Sequence, residues 1–333
     1  MPYGNYKEFI TKPKFVEGNP PAPVQEWYDK LRNENPTKRV YDVDPYVEVY
    51  QFEPNLYGFL TLMLDVGGGL VWQWLIDGPE KAMLIDTGFG LGDLKGLVNE
   101  ITGGKPIIVA NTHCSPDHSY GNWQFDECFS HNLQIPDMEW KQNPGIVAYL
   151  LDDDGVPIWA DYDPKDMVPW KRYKFTGVPD GHIFDLGDGY EVELVNIPGH
   201  QPGHSAYLDK QGRFLIGGDS FPSGGLTGGS DFHADERHAR DPFQGSWLPS
   251  EDSMRKCTCL RDALGRLEKR LDQFDKIYCG HGIQGLDANI IHDMVETCDQ
   301  IIADPKTYDG TRGPRFFRYM KNGGMIEWFE GGV

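Results

Sequence analysis

The chain reads as an α/β protein of two β-sheets packed face to face, with helices on the outer faces. Three observations predict it. Stretches of β-type and helical patterning alternate, the order meander, helix, strand occurs twice, and apolar runs repeatedly end in Asp or His, usually beside glycine. A length of 333 residues suits one large domain or two small ones and is ample for a buried core. No short-period repeat or low-complexity tract interrupts the pattern.

The first 40 residues carry a Pro-rich arm, "KPKFVEGNPPAPVQ", and a short helical stretch, "EWYDKLRNENPTKR", and read as an N-terminal extension to a body spanning 41–333. The arm has two candidate roles, a cap over a pocket or a bridge in a homodimer. From Tyr46 the runs "YVEVYQFE", "LYGFLTLMLDV", "GLVWQWLID" and "KAMLID" are closely spaced strands separated by Gly, Pro and Asn, which predicts an antiparallel meander. Leu94, Leu97, Val98 and Ile101 then recur at helical spacing within about 91–102. "PIIVANTH" follows as a buried strand that delivers His113. The stretch from about 130 to 180, rich in Asp, Pro, Trp and Tyr, has no sustained period and reads as an irregular insert. Its aromatic residues, Trp140, Trp159, Tyr162, Trp170 and Tyr173, either wall a pocket or pack the insert onto the body.

The second half repeats the grammar. "HIFDLGDGYEVELVNIPGH" supplies two strands across a Gly turn, "SAYLD" and "RFLIGGD" two more, "MRKCTCLRDALGRLEKRL" an amphipathic helix, and "KIYCGHG" a last core strand.

Composition excludes several functions. With 51 acidic against 31 basic residues the net charge is −20, which repels phosphate backbones and anionic lipid alike, so neither nucleic acid nor a membrane is expected as a partner. No basic, then apolar, leader opens the chain and no run has the length of a membrane span, which predicts a cytoplasmic protein. The six cysteines lack CxxC pairs, so reduced thiols are expected. "DTGFGLGDL" follows a strand, but its glycines are spaced GxGxG after a meander, which does not make a dinucleotide site. "GGDSFPSGG" lacks the GxSxG elbow of a serine hydrolase.

The polar strand ends carry the chemistry. Asp86 follows "AMLI", His113 follows "IIVANT", His200 follows "LVNIPG", Asp219 follows "FLIGG" and His281 follows "KIYCG". With Asp117 and His118 they make four imidazoles and three carboxylates, a donor set suited to Zn, Fe or Mn. Taken in order, "LIDTG", "THCSPDH", "PGHQPGH", "IGGD" and "GHG", spread over residues 82 to 282, resemble the five motifs of the metallo-β-lactamase superfamily. The resemblance implies a four-layer αββα sandwich with a metal site on one edge. It also implies one or two ions, zinc by default, with His113 and His200 on a first site, Asp117, His118 and His281 on a second, Asp219 bridging, and Asp86 supporting the loop. Asp117 and Asp219 are the implied catalytic carboxylates.

One position departs from the motif H-x-H-x-D-H: its second histidine is Ser115. A neutral hydroxyl is a poor ligand beside imidazole, which predicts a weakened first site and an intact second one. Cys114 is a substitute ligand or a packed thiol. His204 is expected to be structural, while His131, His182 and His292 lack a supporting motif. His233, Arg237, His238 and Arg240 fall in a connector that either lines the site or lies in solvent.

Three functions follow as expectations. The leading one is hydrolysis of a small carbonyl substrate (lactone, thioester, ester or lactam), since a bound divalent ion lowers the pKa of water to about 7 and polarises the carbonyl. An alternative is a non-haem iron oxidoreductase resembling persulfide dioxygenases, built on His113, His200 and Asp219. A metal-binding protein of reduced catalytic power is the third.

Overall fold

Apolar residues buried on both faces, rather than strict alternation, mark the strands of this chain. The computed structural model describes residues 22–65, 69–221, 226–228, 253–312, 316–321 and 324–329. The Pro-rich arm up to residue 21 and the connector holding His233, Arg237, His238 and Arg240 lie outside the described residues.

Helix α1 (Ala22–Glu34) precedes an eight-stranded sheet in which neighbours in space are neighbours in sequence: β1 (Arg39–Tyr41), β2 (Asp44–Glu53), β3 (Leu56–Leu62), β4 (Leu70–Asp77), β5 (Ala82–Ile85), β6 (Ile107–Ala110), β7 (Glu127–His131) and β8 (Lys174–Val178). The pairs from β1 to β5 are antiparallel, so the expected meander is present. The pairs from β5 to β8 are parallel. Parallel pairing needs a crossover, and α2 (Leu94–Thr102) supplies the first one. Its boundaries follow from chemistry: the Asp93 carboxylate accepts from Gly96 N at its start, and Gly103 takes the left-handed conformation, φ 68°, at its end. A single turn, α3 (Pro116–Ser119), follows β6, and α4 (Ile135–Lys141) follows β7. The irregular description of 130–180 is therefore corrected at two places. Helix α4 is too short for its period to stand out, and β8 pairs with β7 along its whole length.

The second sheet has the order β15-β14-β12-β11-β10-β9, from β9 (Ile183–Asp185), β10 (Glu191–Asn196), β11 (Ser205–Asp209), β12 (Phe214–Gly218), β14 (Lys276–Cys279) and β15 (Leu286–Asp287). Strand β13 (Leu226–Gly228) belongs to a small third sheet with β16 (Gly310–Arg312), β17 (Phe316–Lys321) and β18 (Gly324–Phe329). Helices α5 (Ser253–Glu268) and α6 (Ile290–Ala303) complete the order. Neither α6 nor the third sheet was anticipated.

Three apolar layers hold the sandwich. Leu94, Leu97 and Val98 of α2 pack on Leu75, Leu84 and Val109 of the first sheet. Trp72, Trp74, Ile85, Tyr207, Phe214, Ile216 and Tyr278 fill the space between the sheets. Leu260, Leu264 and Leu267 of α5, with Ile291, Met294 and Ile301 of α6, cover Leu208, Leu215 and Ile277 of the second. Burying a side chain of this size is worth about 1.5–3 kcal/mol, so these layers dominate the stability. The αββα sandwich expected from the sequence is the architecture observed. Among the described residues no helix is long and apolar enough to cross a membrane.

Candidate metal centre

Five strands end on one rim of the sandwich, and their ends carry the site. Asp86 directly follows β5, His113 lies beyond β6, His200 beyond β10, Asp219 directly after β12, and His281 beyond β14. The turn of α3 adds Asp117 and His118, both buried. All seven residues named from the motifs come together. Two groups gather their ligand atoms within 4.8 Å: His113, His200 and Asp219, and Asp117, His118 and His281.

Asp219 joins the groups. Its Oδ2 lies 3.8 Å from Nε2 of both His113 and His200 and 3.5 Å from His281 Nε2, while its Oδ1 lies 3.4 Å from His118 Nε2. Asp117 Oδ2 stands 3.3 Å from His118 Nε2 and 3.1 Å from His281 Nε2. Space here is tight enough to need glycine at 280, where a Cβ would sit 2.3 Å from Asp219 Oδ1. That accounts for the first glycine of "GHG".

Three imidazoles have their outer nitrogens fixed. His118 Nδ1 donates to Asp86 Oδ2 at 2.7 Å, and His281 Nδ1 donates to the Leu70 carbonyl at 2.9 Å. Thr112 Oγ1 donates to Asp86 at 2.8 Å, so it accepts from His113 Nδ1 at 3.0 Å. Each Nε2 is thereby turned inward, the arrangement in which histidines hold metal once that nitrogen is deprotonated. Asp86 adopts φ 65°, left-handed for a residue with a Cβ, at a cost of about 1–3 kcal/mol. Its carboxylate repays the strain with bonds to Thr112 N, Thr112 Oγ1 and His118.

The electrostatics differ across the centre. Burial opposes a charged His118, but Asp117, Asp219 and Asp86 around it hold its pKa well above the ordinary value. Burial likewise opposes a charged His281, yet Asp219 and Asp117 carry it up to about 10. His113 is pushed well below the ordinary value by burial and then by His118; burial also lowers His200. Buried carboxyls would ordinarily rise, but His118 and His281 hold both Asp117 and Asp219 well below the usual range.

These residues fit a divalent cation. His113 Nε2 is buried without a hydrogen-bond partner among the described residues. His118 Nε2 and His281 Nε2 face each other at 3.4 Å between two carboxylates, a geometry that calls for positive charge between them. His113 and His118 have no side-chain exposure, whereas His281 keeps 29% and Asp219 14%, so the centre is open on their side.

Ser115 is buried, and its hydroxyl accepts from Gln201 Nε2 at 3.2 Å. Cys114 points at Gln201 Oε1, 3.2 Å away, and burial pushes its thiol up to about 12. Its packing supports the thiol description. His204 has a structural place, as expected: it accepts from Asp219 N at 3.1 Å and stacks on His113. His292 pairs with Glu268 and His131 caps a turn. Of the aromatic residues, Trp170 and Tyr173 pack with the α2 layer, Trp159 and Tyr162 with Tyr120 and Leu150, and Trp140 is exposed. Thr112 and Gln201 were missed as supporting residues; both adjoin motif histidines, which was the available signal.

The family model of the metallo-beta-lactamase superfamily matches residues 66–264. The acyl-coenzyme A thioesterase MBLAC2 of Homo sapiens is 28% identical over 170 residues, 46% of this chain and 59% of that protein. The chain thus spans less than two thirds of that relative's length. A probable metallo-hydrolase of Methanocaldococcus jannaschii is 28% identical over 216 residues, covering 63% of this chain and 86% of that one. Among solved structures, a metallo-beta-lactamase from Pontibacter korlensis matches over 76% of this chain and 99% of its own, with 16% identity and a TM-score of 0.48.

Proposed function

The chain belongs to the metallo-β-lactamase superfamily, and from that membership we propose that it is a metal-dependent hydrolase of a small carbonyl substrate, a thioester foremost, then a lactone, ester or lactam. The thioester stands first because a relative is named as an acyl-coenzyme A thioesterase. One observation carries the proposal: two triads of ligand atoms meet on Asp219, with the outer nitrogens of His113, His118 and His281 already engaged.

Asp117, His118 and His281 would hold one ion, His113 and His200 a second, and Asp219 would serve both. A divalent ion bound there supplies a nucleophile from water near neutral pH and polarises the scissile carbonyl. Zinc suits imidazole and carboxylate donors, and iron and manganese share that preference. Asp117 and Asp219, kept ionised by the imidazoles beside them, orient the attacking water and carry its proton toward the leaving group. Asp86 locks the ring of His118, and Thr112 that of His113, so neither reorients during the reaction. The substrate approaches from the side of His281 and Asp219, where the centre is open.

The triad of His113, His200 and Asp219 alone would serve an iron oxygenase. The equally gathered second triad supports hydrolysis instead, since an oxygenase needs open positions rather than three more ligands. Elemental analysis of protein purified without added metal, followed by turnover of an acyl thioester, a lactone, an ester and a lactam, tests the proposal. At least one equivalent of metal and hydrolysis of the thioester are expected. Folded protein never exposed to chelator that carries no metal would defeat it.

A further inference from the structure

We infer that Tyr28 is a positioning residue for His281, which makes helix α1 part of the metal centre. The inference rests on the metal-binding reading above. It concerns a segment ahead of the 66–264 region that the family model matches.

His281 is the most exposed of the four converging imidazoles, at 29% against 0% for His113 and His118 and 3% for His200. Packing alone therefore does least to hold it. Its neighbour Gly282 adopts φ 70°, so the loop turns sharply just after the ligand. Both sides of the Gly282 residue are gripped. Its N–H donates to the Tyr28 hydroxyl at 3.0 Å, and its carbonyl accepts from Trp72 Nε1 at 3.2 Å and Gln284 Nε2 at 3.0 Å.

Tyr28 is itself held firmly. Its ring stacks on Trp72, with centroids 6.4 Å apart and planes at 20°, and Trp27 meets the same indole edge-on. One turn further on, Arg32 Nε donates to both oxygens of the buried Glu48 at 3.0 and 3.1 Å. Val24 completes the helix's buried face between the sheets. The tyrosine hydroxyl is thus a fixed acceptor, delivered by a helix anchored in the core between the sheets. Removing it leaves the Gly282 N–H buried without its partner and takes away one of the three bonds that fix the residue beside His281.

Tyr28→Phe deletes the hydroxyl and keeps the stacked ring; Val24→Ala trims the same helix without touching Gly282. Metal-free wild type and both variants are titrated with Zn²⁺ against a chromophoric chelator, and the visible spectrum of each Co²⁺-loaded protein is recorded. The tighter ion should bind Tyr28→Phe about 10-fold more weakly, the scale typical of residues that orient a ligand, with an altered Co²⁺ spectrum. Val24→Ala should lower the melting temperature and leave affinity and spectrum alone. Wild-type affinity and spectrum in Tyr28→Phe overturn the inference, as does an equal loss of affinity in Val24→Ala, which would mean that α1 acts through general stability. If wild type itself binds no Zn²⁺, the metal-binding reading falls and takes this inference with it, an outcome distinct from the other two.

Discussion

The two halves of the centre share Asp219 but differ in almost everything else. On one side His113 and His200 stand 3.8 Å from the shared carboxylate, and burial keeps them neutral. On the other, His118 and His281 lie 3.1–3.5 Å from the oxygens of Asp117 and Asp219, and those carboxylates raise both imidazoles above their ordinary pKa. Charge explains the contrast. The second half owns a carboxylate and a share of another; the first has only a share, and Ser115 where a third imidazole would add a ligand. A divalent ion gains more from two carboxylates than from one, so the second half is expected to bind the tighter ion, although its protons must leave as metal enters.

The largest effect should come from removing what the halves share. Asp219→Ala removes the shared carboxylate, leaving the first half none and the second Asp117 alone, and should abolish hydrolysis and cut bound metal from two equivalents to at most one, with the fold retained by circular dichroism. Near-wild-type turnover would show that the halves do not depend on a common bridge.

A smaller effect should separate them. Asp86→Ala frees His118 Nδ1 directly, and it reaches His113 only through Thr112. The tighter ion should therefore lose about 10- to 100-fold in affinity, and the looser one less, as read by stepwise titration of metal-free protein. Equal losses in both phases would erase the distinction between the halves.

Much of this contrast was legible in the sequence, for a physical reason: buried strands that end in Asp or His are costly unless those side chains meet a partner, and strand order brings their ends to one rim. Asp86, His113, His200, Asp219 and His281 could be named on that ground, and the meander and α2 from their spacing. Other features were not legible. Tyr28 reaches Gly282 across 254 residues and Gln201 reaches Ser115 across 86, and neither pairing leaves a periodic trace. Helix α6 was different, since Ile291, Met294, Cys298 and Ile301 lie on one buried face and repeat at helical spacing. Its period is present in the sequence. In α4 the signal is faint, because seven residues with Ile135 and Trp140 exposed make no clean stripe.

The halves can also be made more alike. Titration of metal-free wild type should show two separated phases, and Ser115→His should draw them together by supplying the absent imidazole to the weaker half. The structure adds a condition. Ser115 is buried against Gln201 Nε2, so an imidazole at 115 must displace that amide. Ser115→His with Gln201→Ala should therefore converge the phases further than Ser115→His alone. If wild type already binds two ions with equal, tight affinity, another group is completing the first half.

Cys114 would be the first group to suspect, and the smallest expected effect belongs to it. A thiol ligates as thiolate, and a metal can draw out that proton only if the sulfur reaches it. Here the sulfur faces the other way: Sγ donates to Gln201 Oε1 at 3.2 Å and lies 3.7 Å from Asp137 Oδ2, and burial raises its pKa to about 12. Gln201 then passes the contact to Ser115, so the thiol is one link in a hydrogen-bonded bridge between the loops of His113 and His200. Serine can make the same bond with a smaller atom. Cys114→Ser should accordingly leave both metal affinities within about 2-fold and cost stability of about 1 kcal/mol, the scale of one altered buried hydrogen bond, measured by denaturant unfolding of the metal-free protein. A selective loss of the looser ion in this variant would mean that the sulfur turns inward on loading. The weaker half would then have four protein ligands, His113, His200, Asp219 and Cys114.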